Sequence, residues 1–199
     1  MKVDYINLSL KDSPFKRDIL KEIEKVIDSG WYINGPSNET FDRKFAKLAG
    51  TKYAVGVANG MDALIISLKA LDIGVGDEVI TPPNSYVATT SAIMLVGAKP
   101  IFVDVDYDLN INTDLIESKI TKKTKAIIPV HLTGKPAKLD TLLSISKKHG
   151  ISIIEDCAQA VGAEFNKKRV GSFGVFGCFS LHPLKNLGAL GDGGVIKNY

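Results

Sequence analysis

Residues that advertise chemistry are scarce in this chain, which has two cysteines, three histidines and one tryptophan among its 199 residues. Cys157 and Cys178 lie in apolar, strand-like surroundings without metal-ligand spacing, so they read as reduced core residues and no metal site is expected. No stretch approaches the roughly 20 apolar residues of a membrane span. The opening MKVDYINLSLKDSPFKRDI also lacks the basic-then-apolar order of a signal peptide. A soluble cytoplasmic protein is the expectation. Neither sign of charge dominates: the net charge of +3 comes from 25 basic and 22 acidic residues spread along the chain. That leaves no footprint for nucleic acid or an anionic membrane. The clusters Lys122, Lys123 and Lys125, and Lys167, Lys168 and Arg169, read as solvated turns. A GxGxxG or Walker lysine motif is missing too, which argues against a nucleotide-binding α/β module.

What is present suits one globular domain with a sizeable core, at 45% hydrophobic and 24% charged. An amphipathic helix is predicted from Pro14 to about Asp28, then a turn-rich DSGWYINGPSNE and a second helix around Glu39 to Leu48. A cycle follows. Strands are predicted at 53–58, 77–82, 99–105, 125–131 and 151–157, alternating with helices at Asp62 to Leu71, Val87 to Val96, Asp114 to Ile120 and Leu139 to His149. The interior strands are short, β-branched and apolar on both faces, as strands covered by helices on both sides should be. The fold class is therefore α/β with a mostly parallel sheet.

The chemistry gathers around Lys185, in the segment FSLHPLKNLGALGDGG (179–194), where an apolar strand-like lead-in gives way to a loop with Gly188, Gly191, Gly193 and Gly194. Asp156 ends the apolar run of IIEDCAQA, where a parallel sheet delivers functional groups to a crevice. An amine and a carboxylate at two strand ends are what pyridoxal phosphate requires, one to bond its aldehyde and the other to keep its ring nitrogen protonated. In VANGMDALIISL, Asn59 and Gly60 end a strand and Asp62 opens a helix, so free amides point outward where a phosphate can dock; Asp62 can equally be a plain N-cap. Tyr86 follows a Pro-Pro-Asn turn at the same sheet edge and can lie flat on a planar cofactor or simply pack in its loop.

These segments resemble the DegT/DnrJ/EryC1/StrS sugar aminotransferases over about residues 5 to 199. The matching stretches are DSGWYINGP (28–36), NGMDAL (59–64), GDEVITPPNSYVAT (76–89), FVDVD (102–106), AIIPVHLTGKPAKLD (126–140), IIEDCAQA (153–160) and LHPLKNLGALGDGG (181–194). The resemblance implies the aspartate-aminotransferase type of large domain, a mixed, mostly parallel sheet in an α/β/α sandwich. Residues 1–199 would form that domain with an N-terminal arm, in a homodimer. It further implies pyridoxal 5'-phosphate as cofactor, with Lys185 bonded to it, Asp156 on the ring nitrogen and Gln159 on the ring oxygen. Gly60, Met61 and Ser180 would line the phosphate cup, and Tyr86 would stack on the ring. The implied reaction is amino transfer from an amino acid, glutamate by family habit, to a nucleotide-linked keto-sugar of the kind used in polysaccharide biosynthesis, with Lys185 shuttling the proton.

Two departures from the family pattern bear on that expectation. Met61 stands where the family carries a small hydroxyl residue, which removes one hydrogen bond to a charged group, about 1.5–3 kcal/mol. The chain also stops at Tyr199, whereas the family continues into a small C-terminal domain, so a catalytically incomplete fragment is one alternative. Another is a sugar dehydratase using the same cofactor, against which Lys185 argues because those relatives carry histidine there. His182 is read as either an accessory base or a packing group.

Overall fold

Strands that are apolar on both faces need helices on both sides, and the computed structural model, which describes residue 3 and residues 5–198, has that arrangement. The elements run α1 (Phe15–Ser29), α2 (Pro36–Ala49), β1 (Tyr53–Val57), α3 (Gly60–Ala70), β2 (Glu78–Thr81), α4 (Val87–Leu95), β3 (Lys99–Phe102) and β4 (Thr124–Ile127). They continue with α5 (Leu139–His149), β5 (Ser152–Asp156), β6 (Glu164–Phe165), β7 (Lys168–Arg169), β8 (Phe176–Ser180) and β9 (Gly194–Asn198). Seven strands form one sheet in the order β1-β9-β8-β5-β4-β2-β3. The ladders joining β8, β5, β4, β2 and β3 are parallel, and β9 runs antiparallel to both of its neighbours. The sheet is mixed and mostly parallel, as the sequence implied.

Alternation along the strands sorts the core into two layers. Ile80, Ile127 and Ile153 pack with Phe45 and Ala46 of α2 and with Leu139, Leu142 and Ile145 of α5. Their strand neighbours Val79, Ala126 and Ile154 pack with Leu64 and Leu68 of α3 and with Ala92 and Ile93 of α4. Burying a side chain of this size contributes about 1.5–3 kcal/mol, so each layer is a substantial source of stability. Cys157 and Cys178 are buried free thiols, one in each layer. Among the described residues no helix is long and apolar enough to cross a membrane.

Four local expectations change. The helix expected from Asp114 to Ile120 is two 3-10 turns, Thr113–Leu115 and Glu117–Lys119. Asn112 accepts from the Asp114 amide at 3.0 Å and Ser118 donates to Leu115 O at 2.7 Å, and these side-chain bonds compete with an α-helical ladder. The second helix starts at Pro36 rather than Glu39, because proline at the first helical position loses no hydrogen bond. The strand expected over 125–131 is regular only to Ile127: Pro129 has no N–H for the ladder, although its carbonyl still accepts from Asp156 N at 2.9 Å. The Lys167–Arg169 cluster belongs to the small β6–β7 hairpin, turned by Asn166 and Lys167 at φ 50° and 64°.

Candidate active site

Parallel neighbours end on the same side of a sheet, and here β5 and β8 bring Asp156 and Ser180 to one edge; Asp156 sits beside Cys178 in the register. The first turn of α3 reaches the same place. Asn59 caps this helix, its side chain accepting from the Asp62 amide at 2.8 Å and donating back to the Asp62 carboxylate at 3.3 Å. Asn59, not Asp62, is therefore the N-cap, and the helix opens at Gly60. The amides of Gly60 and Met61 have no acceptor within the helix. Gly60 is required by close approach: a Cβ there would lie 2.8 Å from Ser180 Cβ. Gly194 of β9 is crowded in the same way, since any side chain would run into Asn59 O. Two amides and a buried serine hydroxyl, with no side chain between them, make a cradle of the right chemistry for a phosphate.

Asp156 is the buried acid of this edge, 5% exposed. Thr89 Oγ1 donates to its Oδ2 at 2.8 Å and the Ala158 amide to its Oδ1 at 3.1 Å. Burial pushes its carboxyl pKa up, and the Ala158 amide, the Thr89 hydroxyl and the charge of Lys185 do not pull it back to the ordinary value. A carboxylate so placed gains most from a cationic or N–H partner. Lys185 is half-buried in the loop after β8, close enough to act on Asp156 electrostatically. The loop is tied down: Lys185 N donates to His182 O at 2.8 Å, Ala189 N to Leu181 O at 2.7 Å, and Asn186 Nδ2 to Val161 O at 2.8 Å. His182 is exposed and its Nδ1 accepts from Leu184 N at 3.2 Å, a turn-forming contact rather than one aimed at the site.

The remaining expected residues stand further out. Gln159 is exposed, and its Oε1 accepts from the Thr133 amide at 2.9 Å, which leaves the two Nε2 hydrogens of its amide group facing away from that bond. Tyr86 is 72% exposed at the start of α4. The first turn of the helix it opens carries Thr89, whose hydroxyl lies 2.9 Å from that of Ser85 just before the helix. Met61 is partly buried against the α3–α4 layer. Taken together, the cradle, the under-satisfied buried acid and the neighbouring lysine fit pyridoxal phosphate.

Three participants escape a sequence reading. Thr89 is one, hidden in the plain run VATTSA. The others are His131 and Glu155, both fully buried, with His131 Nε2 at 3.0 Å from Glu155 Oε2. Their layer also holds Cys157, and the three residues offer ligand atoms within 4.8 Å of one another. Both imidazole nitrogens and both carboxylate oxygens are, however, engaged by protein partners. Lys197 is buried beside them; burial lowers its pKa to about 8 against the pull of Glu155 and Cys157.

Comparison with known proteins agrees with this geometry. Residues 14–198 match the model of the DegT/DnrJ/EryC1/StrS aminotransferase family. A UDP-N-acetyl-3-dehydro-alpha-D-glucosamine 3-aminotransferase of Acidithiobacillus ferrooxidans is 47% identical over 98% of this chain and 53% of its own length. Among solved structures, S. venezuelae DesV in complex with a ketimine intermediate superposes with a TM-score of 0.95 at 41% identity, over 99% of this chain and 53% of DesV. NtdA from Bacillus subtilis with bound cofactor PMP gives 0.93 at 33% identity, over 99% of this chain and 45% of NtdA. This chain thus spans about half the length of the proteins it matches. The fold, the site and these similarities agree that the chain belongs to the DegT/DnrJ/EryC1/StrS aminotransferase family.

Proposed function

We propose that residues 1–199 are the large, cofactor-binding domain of a pyridoxal-phosphate-dependent aminotransferase that aminates a nucleotide-linked keto-sugar at the expense of an amino acid, glutamate by family habit. The observation that carries this reading is the placement of Asp156 and the Gly60–Ser180 cradle at one sheet edge, with Lys185 in the loop that follows β8. The name of the Acidithiobacillus relative, a 3-aminotransferase of a UDP-linked dehydro-sugar, supports the substrate class, and the PMP-bound NtdA supports the cofactor.

Each side chain then has a task its chemistry allows. The Gly60 and Met61 amides and the Ser180 hydroxyl would hold the phosphate, and Asp156 would keep a proton on the ring nitrogen. Gln159 would donate to the ring oxygen, and Tyr86 would supply an aromatic face for the ring. Lys185 Nζ would hold the cofactor through its aldehyde carbon and, as a free amine, would move the proton at the donor's α-carbon. Pyridoxal phosphate supplies the carbonyl that carries the amino group and a ring that takes up electrons.

A homodimer belongs to the same reading. Trp31, Tyr32 and Ile33, and Tyr86, Val87, Met94 and Leu95 around α4, are exposed apolar residues for a second copy to cover. Sedimentation showing a strict monomer would remove the dimer. The cytoplasm is the compartment we assign, as both cysteines are free thiols.

The deciding experiment is reduction with borohydride after incubation with pyridoxal phosphate, followed by mass-spectrometric mapping. Label on Lys185, lost in Lys185→Ala, is expected. Label on Lys135 or Lys197 instead would overturn the assignment.

A further inference from the structure

We propose that the buried His131–Glu155 pair is a positioning device that sets Asp156 and Gln159 for the cofactor, an inference that rests on the roles given to those two residues above. His131 stands at the start of a loop that leaves the sheet beside the end of β5. Its backbone N–H donates to Asp156 O at 3.0 Å while Asp156 N donates to Pro129 O at 2.9 Å, so the Asp156 peptide is held on both sides by one segment.

The side chain continues the work. Ala137 N donates to His131 Nδ1 at 3.1 Å, which makes Nδ1 the acceptor nitrogen. Nε2 therefore carries the proton and donates to Glu155 Oε2 at 3.0 Å. Glu155 is itself anchored by three amides, Gly171 at 2.6 Å and Phe173 and Gly174 at 2.7 Å. The imidazole thus joins β5, the 171–174 turn and the closed loop 131–137.

That loop carries Thr133, whose amide donates to Gln159 Oε1 at 2.9 Å. Thr133 has φ 56°, a left-handed conformation that a β-branched residue adopts only when its surroundings impose it. The His131–Ala137 bond spans this residue and supplies that constraint. Gln159 is thereby turned with its carbonyl oxygen toward Thr133 and its amide N–H groups left for another acceptor. One buried pair fixes the backbone of the acid and the orientation of the amide.

The test compares wild type with His131→Leu, Glu155→Gln and His131→Gln, the last keeping an N–H directed at Glu155. Each is titrated with pyridoxal phosphate while the visible absorbance is recorded. His131→Leu and Glu155→Gln should weaken affinity by about 10–100-fold and shift the visible band in the direction that Asp156→Asn does, whereas His131→Gln should stay within about threefold of wild type. Folded His131→Leu with the wild-type band and affinity would overturn the proposal alone; a wild type that takes up no cofactor would sink the functional reading with it. A variant that fails to fold leaves the decision to 15N NMR of the wild-type chain. There, a ring protonated at Nε2 and bare at Nδ1 is expected, and a proton on Nδ1 would overturn the proposal.

Discussion

Glu155 and Asp156 are consecutive buried carboxylates on one strand, and they have opposite fates. Glu155 turns toward the α2–α5 side, where His131 and three backbone amides converge on its two oxygens. Burial pushes its pKa up, but the His131 N–H with the Gly174 and Gly171 amides more than offsets this and holds it below the usual carboxylate value. Asp156 turns toward α3 and α4 and, among the described residues, receives the Thr89 hydroxyl and the Ala158 amide, so burial wins and its pKa is raised. With both side chains buried, the difference is one of donor count. A fully satisfied carboxylate stabilises the framework; an under-satisfied one is held ready for a partner that arrives from outside.

The largest break in this comparison should come from function. Asp156→Asn should reduce amino transfer by on the order of 10³-fold, because a neutral amide no longer favours the protonated ring, while borohydride still fixes the cofactor on Lys185. Steady-state rates of the full-length protein, measured beside the mapping experiment, check both halves. Turnover near wild type would remove Asp156 from the chemistry.

Next in size is stability. Glu155→Gln leaves three amides and one imidazole N–H facing a neutral group of which one end is itself a donor. A loss of about 3 kcal/mol is expected, or roughly 10 °C in Tm for a chain of this length. Thermal unfolding followed by circular dichroism reads it directly. An unchanged Tm would mean that the pocket around Glu155 is not electrostatically matched to it.

The two acids should also respond to pH in opposite senses. Glu155, with its folded pKa depressed, contributes stability that is present above its ordinary value of 4.5 and is lost as pH falls through the lower folded value. Asp156, with its folded pKa raised, contributes stability that is present below its ordinary value of 3.8 and is lost as pH rises through the higher folded value. Comparing wild type with each amide variant across acid pH should therefore give stability differences of opposite slope. Parallel slopes would contradict the asymmetry.

The sequence exposes one side of this pair far better than the other. Asp156, Ser180 and Lys185 are legible because strand ends and glycine-rich loops are where a parallel sheet presents polar groups, and β5 and β8 do end there. Asn59 and Gly60 are legible for the same reason, although capping chemistry assigns the N-cap to Asn59. Glu155 is not legible: alternation puts it on one face of β5, but only the arrival of the 171–174 turn and His131, distant in sequence, makes that face a pocket for an anion. His131 looks like part of a strand until Pro129 interrupts the ladder. Helix α1 shows the converse limit. Its amphipathic pattern is as clear as that of α5, yet α5 buries Leu139, Leu142 and Ile145 while α1 buries nothing, because a pattern announces a face and not what covers it.

The smallest effect sharpens the comparison most, because its sign is unusual. Without cofactor, Asp156 is a buried carboxyl with two donors, and its raised pKa means that ionising it costs the folded state stability. Asn fits the same contacts: its carbonyl oxygen can accept from Ala158 N, and its amide can donate to Thr89 Oγ1, which can in turn give its proton to Ser85 Oγ 2.9 Å away. Asp156→Asn should therefore stabilise the cofactor-free chain at pH 7, by about 1 kcal/mol, or roughly 2–4 °C in Tm. The same substitution that costs most of the activity should thus strengthen the fold. A cofactor-free Asp156→Asn chain that melts several degrees below wild type would show instead that Asp156 holds the apo structure together, and the distinction between the two carboxylates would fail.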